Sequence, residues 1–566
     1  MEISPIDLEV VKNALLSVAE EMGVVLIRAS QSTNIKERRD CSCGIFDADG
    51  VTIAQAEHQP MHLGSMLGII GHLRERYPLE EIRPGDMFIT NDPFSGGGTH
   101  LPDITVAAPV FVDGRLIAFV VNIAHHSDVG GRVAGSNSGD CTSIFEEGLR
   151  IPLVKVLDEG KLVDHVFAFI ALNCRTPEER LADLQAQVAA NRVGIQRLQE
   201  VAAKLGVEFL AAACQALLEH AERKIRQAVA QVPDGTYCFE DYMDDDGRGM
   251  VRIPIRVAIT VAGDDIHLDF TGSGPQARGG INFVWPALQG AVYYCLKTIL
   301  DPSIPSNGGF FRAVRISAPP GTIMNALPPA AVAGRSDTGQ RVADVIFGAL
   351  APVVPEKVVA ACNGAVTASM FAGFDADKGR HYVYIETQGG GSGARHDRDG
   401  LDGVQVHMTN TSNLPVEALE NEYPLMVDRL ELIPDSGGRG KYRGGMGIRK
   451  DIRVVGHTAT FSTHADRQHI PPWGLFGGEA GRCGRYVITR RATGTRDVLS
   501  SGKMSEILLE EGDVVSVQTP GAGGWGPPTE RPRALAERDL RQGKATEDLA
   551  RIIHEGFVKN PGLPDQ

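Results

Sequence analysis

Ile104–Ala124 reads ITVAAPVFV, then Asp113-Gly114, then RLIAFVVNIA. Two apolar runs rich in β-branched residues, joined by Asp-Gly, predict a β-hairpin closed by a two-residue turn, because such a turn holds both central residues at positive φ. Counting outward from that turn places Asp103 opposite Ala124 and His125 opposite Pro102. Side chains alternate between the two faces of a strand, so this register puts Asp103 and His125 on opposite faces. Pro102 and the glycine loop before it must break the alternation if both are to reach one point.

The flanks of the hairpin hold the densest polar cluster in the chain. NDPFSGGGTHLPD (residues 91–103) leads into the first strand and HHSDVGG (residues 125–131) leaves the second. His100, Asp103, His125, His126 and Asp128 therefore gather at the open end. Imidazole and carboxylate donors suit zinc, manganese or iron. His100, three residues before Asp103, can fold back to the same point. Asp40, in KERRDCSCG (residues 36–44), is a further carboxylate, with an ion pair to its basic neighbours as its other reading.

Away from the cluster the pattern alternates between helix and strand. Residues 6–30 carry Ile6, Val10, Leu16, Val18 and Met22 near helical spacing. Residues 43–56 read as two short strands about the turn DADG. Thr176, Pro177 and Glu179 predict an N-cap, a first-turn proline and a capping box. They open a helical hairpin that breaks at Gly206 and ends near Gln231. Leu181, Leu184, Val188, Ile195 and Leu198 give it two apolar faces, for internal scaffolding or for a partner. VRIPIRVAITVAGDDIHLDFTGSG (residues 251–274) is a second β-hairpin, and residues 285–300 and 340–352 read as buried helices. Short strands and glycine loops fill 380–520, and a charged helical tail follows. The fold class is α+β, with regions 1–175 (metal site), 176–232 (helical hairpin), 233–375 (mixed), 376–527 (glycine-rich β) and 528–566 (tail).

Composition narrows the function. Of 566 residues, 43% are hydrophobic and 22% charged, and the net charge is −15. An acidic chain is a poor partner for nucleic acid or an anionic membrane. No apolar run approaches the ~18 residues of a bilayer span, and MEISPIDLEVV lacks the basic start of an export signal. These features, with nine scattered Cys, predict a cytoplasmic protein with free thiols. No phosphate-binding loop of the Gly-x-x-x-x-Gly-Lys-Ser/Thr type occurs. GAGGWG (residues 521–526) is followed by two prolines, so it cannot open the helix that a dinucleotide fingerprint requires. GGSGA around Ser392 fails as a nucleophile elbow at its last position.

The cluster and its surroundings resemble the hydantoinase B family, which also includes the C-terminal half of 5-oxoprolinase and subunits of acetone and acetophenone carboxylases. The resemblance covers about residues 5–527. It is carried by RRDCSCGIFD (38–47), MHLGSM (61–66), GDMFITNDPFSGGGTHLPDITV (85–106), AHHSDVGG (124–131), EGLRIP (147–152), GGINF (279–283), DTGQRVADVIFGAL (337–350), MTNTSNLPVEALENEYPL (408–425), PPWGLFGG (471–478) and TPGAGGWGPP (519–528).

The resemblance implies one divalent metal held by Asp40, His100, Asp103 and His125, a donor set that suits Zn²⁺ or Mn²⁺. It also implies a partner subunit, resembling hydantoinase A, of the actin-like ATPase class. That partner binds ATP and Mg²⁺ and phosphorylates a small cyclic amide, which water activated by the metal then opens. Asp128 and His126 are the candidate proton acceptors, with the orienting of metal ligands as their other role. Two other functions remain open at this point: a subunit of an ATP-dependent ketone carboxylase, and a non-catalytic scaffold.

Overall fold

The computed structural model describes residues 3–56 and 59–546. Helix α1 (Pro5–Ala29) starts where Ser4 Oγ accepts the Asp7 N–H and Pro5 fills the first turn. Its buried stripe is Val11, Leu15, Val18, Met22 and Leu26, a helical 3–4 spacing. Ile6 and Val10, expected on that stripe, are exposed.

A seven-stranded sheet follows, with strands β1 (Cys41–Asp47), β2 (Thr52–Gln55), β3 (Met87–Thr90), β4 (Asp103–Val112), β5 (Arg115–His125), β6 (Val154–Asp158) and β7 (Lys161–Leu162). Their spatial order is β2-β1-β5-β4-β3-β6-β7. β4 and β5 are the predicted hairpin, and Asp113 (φ 49°) and Gly114 (φ 76°) form the predicted positive-φ turn. The register differs from expectation. Val112 faces Arg115 and Phe111 faces Leu116, but Val110 faces Ala118, so Ile117 is an extra residue. This bulge shifts every later pair by one, and Asp103 faces His125 directly rather than Ala124. Directly opposed residues share a face. The bulge near the turn, and not Pro102, resolves the conflict over the two candidate ligands.

Helix α2 (Pro177–Leu205) crosses this hairpin. Gln187 Nε2 donates to the Ile104 carbonyl, Asn191 Nδ2 to that of Val106, and Asn122 Nδ2 to Asn191 Oδ1. The predicted capping box does not form: Thr176 makes no capping bond and Glu179 turns instead to Arg180. Helix α3 (Val207–Val229) leaves at a 104° bend across Gly206, so the pair is an elbow and not an antiparallel hairpin. Leu184, Val188 and Leu198 lie in the main core, which makes that face internal and unavailable to a partner. No single helix among the described residues is long and apolar enough to cross a membrane.

Strands Val251–Ala262 and Asp265–Asp269 pair antiparallel, as expected of the second hairpin. Helix α4 (Trp285–Leu300) matches its predicted span. Helix α5 (Arg335–Leu350) starts earlier than 340, because its first turn is polar yet buried, which an apolar pattern does not reveal. The main apolar core draws on residues from Val11 to Trp525, and a second core on residues from Phe371 to Val517. Around the second core the glycine loops stack backbone on backbone. A Cβ on Gly445 would lie 1.9 Å from the Leu401 carbonyl, and one on Gly521 1.9 Å from that of Ser436. All nine Cys are unpaired. The predicted tail helix is present at Arg533–Arg541; its continuation past residue 546 lies outside the described residues.

Candidate metal centre

The site forms where β4 begins and β5 ends. The Asp103 N–H donates to the His100 carbonyl at 3.1 Å, closing a turn that folds His100 back over Asp103. Gly98 permits it: at φ 99° its missing Cβ would lie 2.7 Å from the Asp103 carbonyl. His125 comes from the facing strand. One donor atom each from His100, Asp103 and His125 lie within 4.8 Å of one another, and all three residues are buried.

Three atoms at this point lack any hydrogen-bond partner: both ring nitrogens of His100 and Oδ1 of Asp103. A buried polar atom left unpaired costs ~1–3 kcal/mol, so their convergence marks a place built for a bound group. The spacing suits a metal. Two donors ~2.1 Å from one ion stand ~3.4 Å apart at a tetrahedral angle, and His100 Nε2 lies 3.3 Å from Asp103 Oδ1. Burial, with Arg335 beside it, lowers the His100 pKa to about 4, and burial holds His125 well below its ordinary value. Both rings are thus neutral at pH 7, the form that ligates. Burial alone would raise Asp103, but His100 and Arg335 pull it well below the usual carboxylate range.

A second group, Asp344, Cys362 and His407, is as tightly clustered, yet its atoms are satisfied. Asp344 pairs with Arg467 and His407, Cys362 Sγ accepts from the Gly393 N–H, and the His407 ring bridges Asp344 and Tyr294. The adjacent Arg467 charge also opposes a cation there.

Asp40 stands at the rim. Its carbonyl accepts the His125 N–H at 3.0 Å, which ties the two segments together. Its carboxylate is 3.9 Å from His62 Nε2, which in turn is 3.7 Å from Asp103 Oδ1. The structure therefore gathers three of the four expected ligands and interposes His62 before the fourth. His62 was missed as a site residue, although it lies in MHLGSM; its Nδ1 is held 3.0 Å from Ser42 Oγ.

The pattern of the hydantoinase B/oxoprolinase family matches residues 4–528. The chain belongs to that family. A putative D-/L-hydantoinase subunit of Pseudomonas sp. (strain NS671) is 33% identical over 566 residues, covering 97% of this chain and 95% of that one. 5-Oxoprolinase 1 of Arabidopsis thaliana is 34% identical over 549 residues, which span 92% of this chain but 42% of that longer protein. The crystal structure of the ATP-dependent caprolactamase from Pseudomonas jessenii superposes with a TM-score of 0.91 at 29% identity, covering 97% of this chain and 96% of that one.

Within this family member, Asp128, one of the two residues expected to accept protons, is fully engaged elsewhere, and His126 is engaged through Nε2 while its Nδ1 is buried without a partner. The Asp128 carboxylate accepts from the Gly130, Gly135 and Arg175 N–H groups and from the Arg175 guanidinium. All its acceptor capacity staples the loop after β5, and none is offered to the cluster. His126 Nε2 is 3.0 Å from Gln187 Oε1, beneath α2. Since the Gln187 amide nitrogen already donates to Ile104 and Asn122, its oxygen accepts and the ring donates. Successive residues on a strand point to opposite faces, so His126 faces α2 because His125 faces the site.

Three supporting residues also escaped the sequence reading. Arg335 donates to Asp103 Oδ2 at 2.7 Å and to Thr99 Oγ1 at 2.9 Å, leaving Asp103 Oδ1 to face the cluster. Asn34 Nδ2 donates to the His125 carbonyl at 2.8 Å and lies 3.0 Å from its Nδ1. Glu147 Oε1 accepts the Val332 and Ala333 N–H groups, while Oε2 is buried without a partner. The run GRSDTGQ (residues 334–340), a polar stretch leading into the buried helix expected from 340, was the available signal for Arg335.

Burial raises Glu147 to about 8, although the two N–H groups and Arg335 pull it down. Because this folded pKa lies above the unfolded one, ~4.3, the side chain destabilises the fold increasingly as pH rises from there to about 8. Glu147→Gln keeps an acceptor for both N–H groups and removes the titration. Its Tm relative to wild type should therefore climb by a few °C (on the order of 2–4 °C) between pH 5 and pH 8. A difference that stays flat across that range in thermal unfolding would count against a strained carboxyl.

Proposed function

We propose that this chain is the metal-binding subunit of an ATP-dependent cyclic amide hydrolase, acting with an ATPase partner. The unpartnered donor atoms of His100 and Asp103 beside His125 carry the reading. Relatives support the reaction class: one is named as a hydantoinase subunit, one as a 5-oxoprolinase, and the similar crystal structure is an ATP-dependent caprolactamase. A hydantoinase built of subunits implies a second chain, and the 5-oxoprolinase relative matches this chain over only 42% of its own length.

An amide resists water because its nitrogen donates into the carbonyl. Phosphorylation of the oxygen by the partner fixes that nitrogen pair in a C=N bond, which leaves the carbon strongly electrophilic, and turns the oxygen into a leaving group. A divalent cation held here, Zn²⁺ or Mn²⁺, supplies Lewis acidity that brings the ionisation of water towards neutral pH. His100, Asp103 and His125 would hold it, with Asp40 closing the site from the rim. Arg335 and Asn34 fix the orientations of Asp103 and His125, the outer support that metal sites depend on. The buried setting excludes bulk water, which protects a phosphorylated amide from wasteful hydrolysis.

The test is co-expression with an actin-like ATPase of the hydantoinase A type, then assays on hydantoin, 5-oxoproline and caprolactam. Ring opening should require ATP, the metal and both chains, and the isolated chain should show no micromolar ATP binding by calorimetry. Bicarbonate-dependent product from a ketone instead of ring opening would favour a carboxylase. Full activity after metal stripping would leave a scaffold role.

A further inference from the structure

Across the Gly334–Arg335 turn from the cluster lies a buried pair that the mechanism above does not use. His464 ends the strand Ala459–His464 and is fully buried. Its Nδ1 is 2.8 Å from Asp337 Oδ2, in the first turn of α5. Asp337 Oδ1 accepts the Val366 N–H at 2.9 Å, so this carboxylate is fixed and acts as an acceptor on both oxygens. The His464 Nδ1 then donates, and Nε2 is left as the basic nitrogen. That Nε2 is buried and has no partner.

Two glycines lie against the His464 side chain. A Cβ on Gly139 would come 3.0 Å from the His464 Cβ, and one on Gly334 3.7 Å from its Cγ. Gly334 precedes Arg335, whose guanidinium grips Asp103 and Thr99. The unpartnered atoms of His100, Asp103, Glu147 and His464 thus flank one short segment, residues 332–335. A histidine oriented by a carboxylate, with its second nitrogen buried and bare, has the arrangement of a general acid–base.

Building on the proposed ring-opening activity, we propose that His464 is its proton carrier and Asp337 the residue that positions it. As a water oxygen bonds to the activated ring carbon, one of its protons passes to Nε2 and the C–N π pair returns to nitrogen. When the C–N bond breaks, the departing nitrogen takes that proton from Nε2. The carbonyl re-forms as the second water proton leaves, and this proton ends on the released amine as an ammonium. The phosphate stays on the acyl oxygen until hydrolysis. The charged groups facing the pair are Arg335 from α5, His100 from the glycine loop, and Lys503, whose stem packs on Gly139 and whose ammonium pairs with Asp466.

Two measurements on the full chain alone, with neither partner nor ring, test the assignment independently of the ring-opening reading. Histidine-selective ¹⁵N NMR, with His464 assigned by its loss in His464→Gln, should show Nδ1 protonated and Nε2 bare at neutral pH. Metal content should be unchanged in His464→Gln and in Asp337→Asn. A neutral ring protonated on Nε2, or loss of the metal in either variant, would overturn the proposal. In the complex, His464→Gln should lower kcat by about 10²–10⁴-fold at unchanged KM and abolish the acidic limb of the pH profile. Asp337→Asn should lower kcat less and let the proton of the neutral ring appear on Nε2 in the ¹⁵N spectrum, since the carboxylate that holds it on Nδ1 is gone. A His464→Gln complex within threefold of wild type would also overturn it.

Discussion

His100→Ala should take the purified chain from about one bound divalent cation to a small fraction of one, and ring opening should fall with it. A ligand contributes directly to the site, so the affinity loss should exceed the ~10–100-fold typical of removing an outer hydrogen-bond partner. His125→Ala should behave alike. The fold should survive. Neither His100 nitrogen has a hydrogen-bond partner in the protein, so the substitution removes two unsatisfied buried atoms, while Arg335 and Thr99 still hold Asp103. Elemental analysis, with thermal unfolding of the chelator-treated protein, measures both halves. Cys362→Ala is the control: its cluster is satisfied internally, so metal content should not change. Full occupancy in both histidine variants would place the metal elsewhere.

The second large effect is on stability. Asp466→Ala should destabilise the chain by about 3–5 kcal/mol, the usual cost of leaving buried charge without its partner. Asp466 is fully buried between Arg341 (2.5 Å) and Lys503 (2.9 Å). Arg341 continues to Asp241, Asp241 to Arg467, and Arg467 to Asp344. This chain of charges ties α5 to the strand Gly235–Asp245 and to the segment after His464, so losing one link affects three parts of the fold. Replacing both Asp466 and Lys503 by apolar residues should cost less than Asp466→Ala alone, because removing a pair strands less charge than removing one member. Burial opposes the charge on Asp466, but Lys503 and Arg341 hold its pKa below the usual value. The pair's contribution is therefore complete above the unfolded carboxylate pKa and is lost as pH falls through the folded one. Denaturant midpoints for the single and double variants decide the matter; a single variant within 1 kcal/mol of wild type (about 1 kcal/mol being the ordinary point-mutant effect) would refute it.

What the sequence determined by itself is local. The Asp113-Gly114 turn and the Gly206 break follow from φ preferences, which involve neighbouring residues only. For the same reason His100, Asp103 and His125 could be picked out together: one hairpin joins them. Tertiary structure decided the rest. An extra residue at Ile117 sets which strand face His125 occupies, and no propensity distinguishes a bulge from a regular pair at that position. His62 and Arg335 reach Asp103 from distant segments, and Asp337 meets His464 across 127 positions. Those pairings depend on how α5 and the strand Ala459–His464 pack, not on any spacing in the chain. The same packing gives Asp128 to Arg175 and turns His126 Nε2 to Gln187, away from the cluster that their position beside His125 suggested. Side chains one residue apart on a strand face opposite ways, and only the packing of α2 on the hairpin shows which way leads to the site.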